Sequence, residues 1–223
     1  MRLRSTVCAQ LARLCVALTR AAGENDDWQG RDGGQMLQMH CGEAPGRVRY
    51  LTKSTFLTTG EAWEALAGNS SLFTRCGVVS RVHADVVRRE VKRMRATELA
   101  VIGDLDPLDL TVLLSLACGG VGKGLATRSI PVLWRGVRDD WRAECDRARR
   151  RTGYRSEPTI QMTEFEQRHW ERLEGLDVPW EQIIGPHSAA LLRSGRKLEL
   201  EGASKPAIYG DGFPRRVLRL AGQ

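Results

Sequence analysis

At 223 residues, with 42% hydrophobic and 27% charged residues, the chain has the length and composition of one folded domain, and no apolar run in it is long enough to span a bilayer. A net charge of +7 favours acidic partners, whether RNA, DNA or an anionic membrane surface. The basic clusters Arg88–Arg95 and Arg147–Arg151 read first as solvated helix faces, which makes nucleic acid a secondary partner and not the primary task.

In chain order, Val7, Leu11, Leu14 and Leu18 fall on one helical face, while Arg2, Arg4, Arg13 and Arg20 occur with no acid before Glu24. The pattern predicts an amphipathic helix, docked on a core or lying on a membrane, and it also matches a mitochondrial transit segment. The polar, glycine-rich stretch Gly23–Gly46 is the best boundary. Residues 1–46 are therefore expected to form a loosely attached N-terminal helix and connector, and residues 47–223 the main domain. Val48–Thr58 has strand composition, and Thr58 with Glu61 forms a capping box ahead of a helix carrying Trp63 and Leu66. A helix over Ser80–Ala96 sets Val87, Val91 and Met94 on one face, and Leu99–Ile102 is a brief strand. Asp106 and Pro107 then open an apolar helix, Leu108–Cys118, which Gly119 and Gly120 end.

The spacing of Trp134, Val137, Trp141, Cys145 and Ala148 predicts a helix starting near Pro131. Thr163 and Glu166 cap a helix with Phe165, Trp170 and Leu173 that Gly175 closes, and Pro179 and Pro186 punctuate two short helices. Leu198 and Leu200 alternate with Glu199 and Glu201 as in a half-buried strand, and Ile208–Pro214 has turn chemistry. The expected fold class is α+β, mainly α: a single compact domain with a few short strands.

Six cysteines (Cys8, Cys15, Cys41, Cys76, Cys118 and Cys145) have no paired spacing. This argues against zinc and against a disulfide framework, and for isolated thiols in a reducing compartment. Gly119–Gly124 looks like a phosphate loop, but Ala117 stands at its first glycine position and Gly124 at its Ser/Thr position, so it reads as an interhelical loop. His40, His83, His169 and His187 lie in unrelated contexts, and no acidic pair has a diagnostic spacing. No catalytic residue, cofactor or metal is expected on these grounds. Arg135 with Glu199 and Glu201 resembles the arginine and Glu-x-Glu elements of mono-ADP-ribosyltransferases, though without the Ser-Thr-Ser strand between them.

Ile208-Tyr209-Gly210-Asp211-Gly212-Phe213-Pro214 sets two glycines around an aspartate, a tight structural turn with Tyr209 and Phe213 as anchors. Its wording resembles the C-terminal signature of the P-zero proteins of poleroviruses and enamoviruses. Ser129-Ile130-Pro131 followed by Gly136-Val137-Arg138-Asp139, and Lys197-Leu198-Glu199-Leu200-Glu201-Gly202, are similar to further segments of that family in the same order, over residues 129–220. The resemblance implies a viral suppressor of host RNA silencing with no chemistry of its own and no small-molecule substrate. It would be an F-box-like adaptor in the host cytoplasm or on its membranes, bringing host Argonaute to a host Skp-type ubiquitin-ligase adaptor for degradation. Leu72 and Phe73, which follow Ser71 where the family has proline, are its candidate Skp-binding residues. Trp134 and Trp141 belong either to a partner surface or, as large aromatics usually do, to the core. A mitochondrial RNA-associated or ribosomal protein is the alternative reading, and the transferase a third.

Overall fold

Short apolar runs form the centre of the molecule. In the computed structural model, which describes residues 3–22, 38–40, 46–52, 70–75, 78–119, 130–152 and 159–200, Gln38–His40 (β1), Val48–Leu51 (β2), Ser71–Thr74 (β3), Leu99–Ile102 (β4) and Val132–Trp134 (β5) make one sheet in the order β1-β3-β2-β4-β5. β1 is antiparallel to β3, and the other four strands are parallel. Every residue of β2, β3 and β4 is buried, as happens when a parallel sheet is covered on both faces. Tyr50 of β2 lies opposite Phe73 on one side and Val101 on the other. The chain thus leaves β2 for β3 and returns past β2 to β4 and β5. That reversal is the topological switch point of doubly wound sheets.

Two crossover helices have well-formed starts. Arg81–Arg93 (α2) is capped by Ser80, whose hydroxyl accepts from His83 N, and it buries Ala84, Val87 and Val91. Pro107–Cys118 (α3) starts at Asp106, whose carboxylate accepts from Leu108 N, and stops at Gly119 with φ 95°. α3 is apolar on nearly every side, so it must be covered all round. Ser5–Ala22 (α1), Glu164–Glu174 (α5) and β5 pack on it. Asp139–Thr152 (α4), Trp180–Ile184 (α6) and Pro186–Arg193 (α7) complete the described helices, and Thr159–Gln161 (β6) pairs antiparallel with Arg196–Leu198 (β7).

The mixed, mainly helical character expected from the sequence is present, but its layout differs. A mostly parallel sheet makes the arrangement α/β and not α+β. The N-terminal helix is not loosely attached: Val7, Leu11, Leu14 and Cys15 are buried, and Cys8 is joined to Cys118 of α3 by a disulfide with Cα atoms 5.4 Å apart. The expectation of isolated thiols therefore fails for Cys8 and Cys118, because helix packing brings together cysteines that are 110 positions apart. The helix predicted from Pro131 begins only at Asp139. Its first part is β5, a run too short for periodicity to separate strand from helix. The capping boxes and turns expected at Thr58–Glu61 and Ile208–Pro214 lie outside the described residues.

Candidate functional site

In open α/β sheets ligands bind outside the carboxyl ends of the strands at the switch point, here the ends of β2 and β4. Thr52 follows β2, and Gly103-Asp104 follows β4. Asp109, in the first turn of α3, ties the two ends together: its Oδ2 accepts from Thr52 Oγ1 (2.6 Å) and from the Asp104 amide (2.7 Å). Gly103 is tightly placed, since a Cβ there would lie 2.5 Å from Thr52 Oγ1 and 2.7 Å from Asp109 Oδ2 and would force those side chains to shift. Gly136 answers to the same constraint from β5, where a Cβ would lie 2.4 Å from the Gly103 carbonyl oxygen.

Strand β7 and the residues after it bond to the chain that leaves β4. Leu105 and Leu198 exchange backbone hydrogen bonds of 2.9 and 3.2 Å, and the Leu200 amide donates to Asp104 Oδ1 at 2.7 Å. Lys197 is buried with its ammonium 2.9 Å from Asp106 Oδ2 and 2.7 Å from Glu166 Oε1. Asp106 is the cap of α3, and Glu166 is half of the capping box that starts α5. One lysine therefore pins two helix N-termini together, each already favourable to a carboxylate.

The electrostatics follow from this crowding. Burial, and then the carboxylates of Asp104 and Asp106, push Asp109 well above the usual carboxylate range, with the Thr52 and Asp104 hydrogen bonds pulling the other way. Burial works against the Lys197 ammonium, but Asp106 and Glu166 outweigh it and hold the lysine charged above its ordinary range. Beneath them, His169 Nε2 lies 2.7 Å from Thr111 Oγ1. Among the described residues, no three of His, Cys, Asp and Glu converge as a metal ion would require. The cluster can neutralise, cap and lock, but its polar atoms are turned on one another.

Sequence reasoning missed this cluster. The available signal was an apolar strand followed at once by Gly103-Asp104-x-Asp106, with Asp109 one helical turn on. The residues it did select lie elsewhere. Leu72 and Phe73 are 1% and 0% exposed in β3, so in this fold neither presents a side chain to a Skp-type partner. Trp134 and Trp141 are also buried, which assigns them to the core and not to a partner surface; Trp134 Nε1 donates to the Val137 carbonyl at 3.0 Å. Arg135 follows a strand instead of sitting in a helix, and its guanidinium lies 3.6 Å from Glu98. Glu199 follows β7 and Glu201 lies outside the described residues. The signature Ile208, Tyr209, Gly210, Asp211, Gly212, Phe213 and Pro214 also lies outside them. A groove of about 650 Å³ runs beside β5, away from the cluster.

The class defined by fold and site is thus an open, mostly parallel α/β protein in which, among the described residues, Asp104, Asp106 and Asp109 at the switch point are bonded to other parts of the same chain. No protein-family model and no curated protein matches it. Among solved structures it is similar to an alpha/beta hydrolase family protein from Desulfitobacterium hafniense, at 14% identity and a TM-score of 0.27, over 83% of this chain and 70% of that one. A likeness at that level carries no argument about activity.

Proposed function

We propose that the chain suppresses host RNA silencing by binding host proteins, Argonaute foremost, without chemistry of its own. The observation that carries this reading is the meeting of two of the segments that resemble the P-zero family. Val137 N donates to the Gly103 carbonyl (3.0 Å) while Leu200 N donates to Asp104 (2.7 Å), so residues 136–139 and 197–200 bond to neighbouring residues at the end of β4. Asp139 adds a further tie, accepting from His187 N and Ser188 N at the start of α7. Segments that resemble one family in order and also pack as one unit support the family reading better than scattered likenesses would. Because Leu72 and Phe73 are core residues, recruitment of a Skp-type adaptor needs a different contact, and degradation of Argonaute is the outcome to be measured.

The test is co-expression with a silenced reporter in leaves, with Argonaute followed by immunoblot and the tagged chain by microscopy. Reporter rescue, falling Argonaute and cytosolic signal are expected. A chain that accumulates normally without rescuing the reporter would sink the reading, and mitochondrial import with loss of α1 would favour the RNA-associated alternative.

A further inference from the structure

The groove beside β5 joins an apolar lining to several arginines. Its volume of about 650 Å³ lies within the range of about 300–1,000 Å³ usual for small-molecule sites. Its floor is apolar, built from Val132 and Trp134 of β5 together with Val178 and Ile183 beside and within α6. Around that floor stand three arginines, Arg4, Arg135 and Arg138, against one acid, Asp177. Asp177 is taken by Arg4 at 3.1 Å, and both side chains are largely exposed. Arg135 and Arg138 are different: their side chains are only 19% and 24% exposed. Arg135 has Glu98 no nearer than 3.6 Å. Arg138 holds Asp140 through Nη2 at 3.0 Å, but its buried Nε has no hydrogen-bond partner. That Nε is sealed from solvent, so a molecule in the groove would meet the terminal guanidinium nitrogens of Arg138 and Arg135.

We propose that this groove binds a single-headed amphipathic anion, with its carboxylate or phosphate on Arg135 and Arg138 and its apolar body along β5 and α6. Guanidinium groups suit both heads, since they offer fixed, parallel donors to planar or tetrahedral oxyanions. The apolar floor supplies affinity, and the arginines supply the choice of head group. The proposal stands apart from the silencing reading, as neither requires the other.

The experiment displaces the fluorescent probe dansylaminoundecanoic acid from the purified full chain, below the micelle concentration of each competitor. Dodecanoate, dodecyl phosphate, dodecanol and dodecyltrimethylammonium are compared. At least one of the two anions should compete about tenfold better than dodecanol, as expected for one charge-assisted hydrogen bond. Which of them binds tighter identifies the head as carboxylate or phosphate. Arg138→Met should weaken the anions by about the same tenfold and leave dodecanol unchanged. Gln182→Glu, at an exposed position lining the groove, should weaken the anions as well, and it serves if the arginine variant melts early. Equal competition by all four compounds, or anion binding that survives Gln182→Glu, overturns the proposal.

Discussion

One buried histidine should contribute to this protein's loss of stability in acid. His169 is 1% exposed, beneath the switch-point cluster. Thr111 donates its hydroxyl proton to the Pro107 carbonyl at 2.9 Å. Its oxygen therefore accepts from His169 Nε2, and Nδ1 is left without a partner. Burial first, and the nearby Arg172 second, push the imidazole from 6.5 down to about 4. The unfolded chain thus takes up a proton below about pH 6.5, which the folded chain refuses until about pH 4. The stabilisation is complete above that window, declines as pH falls through it, and is gone below it. At roughly 1.4 kcal/mol for each pH unit of the window, the whole effect is about 3 kcal/mol. His169→Gln keeps an N–H donor for Thr111 and cannot titrate. In urea unfolding, the parent should lose about 2 kcal/mol more than this variant between about pH 7 and about pH 4.5. Equal losses in the two proteins would refute the reasoning.

Lys197→Met should cost about 3–5 kcal/mol by leaving Asp106 and Glu166 buried without their cation; chemical denaturation measures it. Gly136→Ala drives a Cβ to 2.4 Å from the Gly103 oxygen and 2.6 Å from its nitrogen, backbone atoms that cannot swing aside. It should lower the melting temperature through a loss of about 1–3 kcal/mol. Leu72→Ala should cost about 2–5 kcal/mol as a cavity in β3, with cellular protein level and silencing suppression falling together. Loss of a Skp-type partner from normally stable Leu72→Ala protein would contradict the core assignment.

What was legible in the sequence was local. The caps at Asp106 and the Thr163–Glu166 pair are formed by residues within three positions of one another, and a side chain bonding to its own helix start needs no knowledge of the fold. β4 was legible because an uninterrupted Leu-Ala-Val-Ile run suits a strand buried on both faces. Strand order was not, since pairing β2 with both β3 and β4 is decided by long-range packing. β5 was misread because Trp134, Val137 and Trp141 hold helical spacing while Gly136 breaks the chain between them. The acid cluster was hidden for a related reason. Asp106 and Glu166 each look complete as caps, and their second oxygens meet only when Lys197 is folded between them.

The bond between Cys8 and Cys118 also turns part of the molecule into a covalent ring. β1 to β4, α2 and α3 all lie between its two ends, while β5 and everything after it lie outside. A protease that cuts the backbone once anywhere between Cys8 and Cys118 therefore liberates no fragment, whereas one cut between Cys118 and Val132 leaves the sheet's last strand with no backbone link to the other four. In a reducing compartment the ring opens, and the same internal cut then yields two separate chains. Whether a nicked molecule survives as one piece is set by the redox state of its surroundings, at a point in the chain far from the nick.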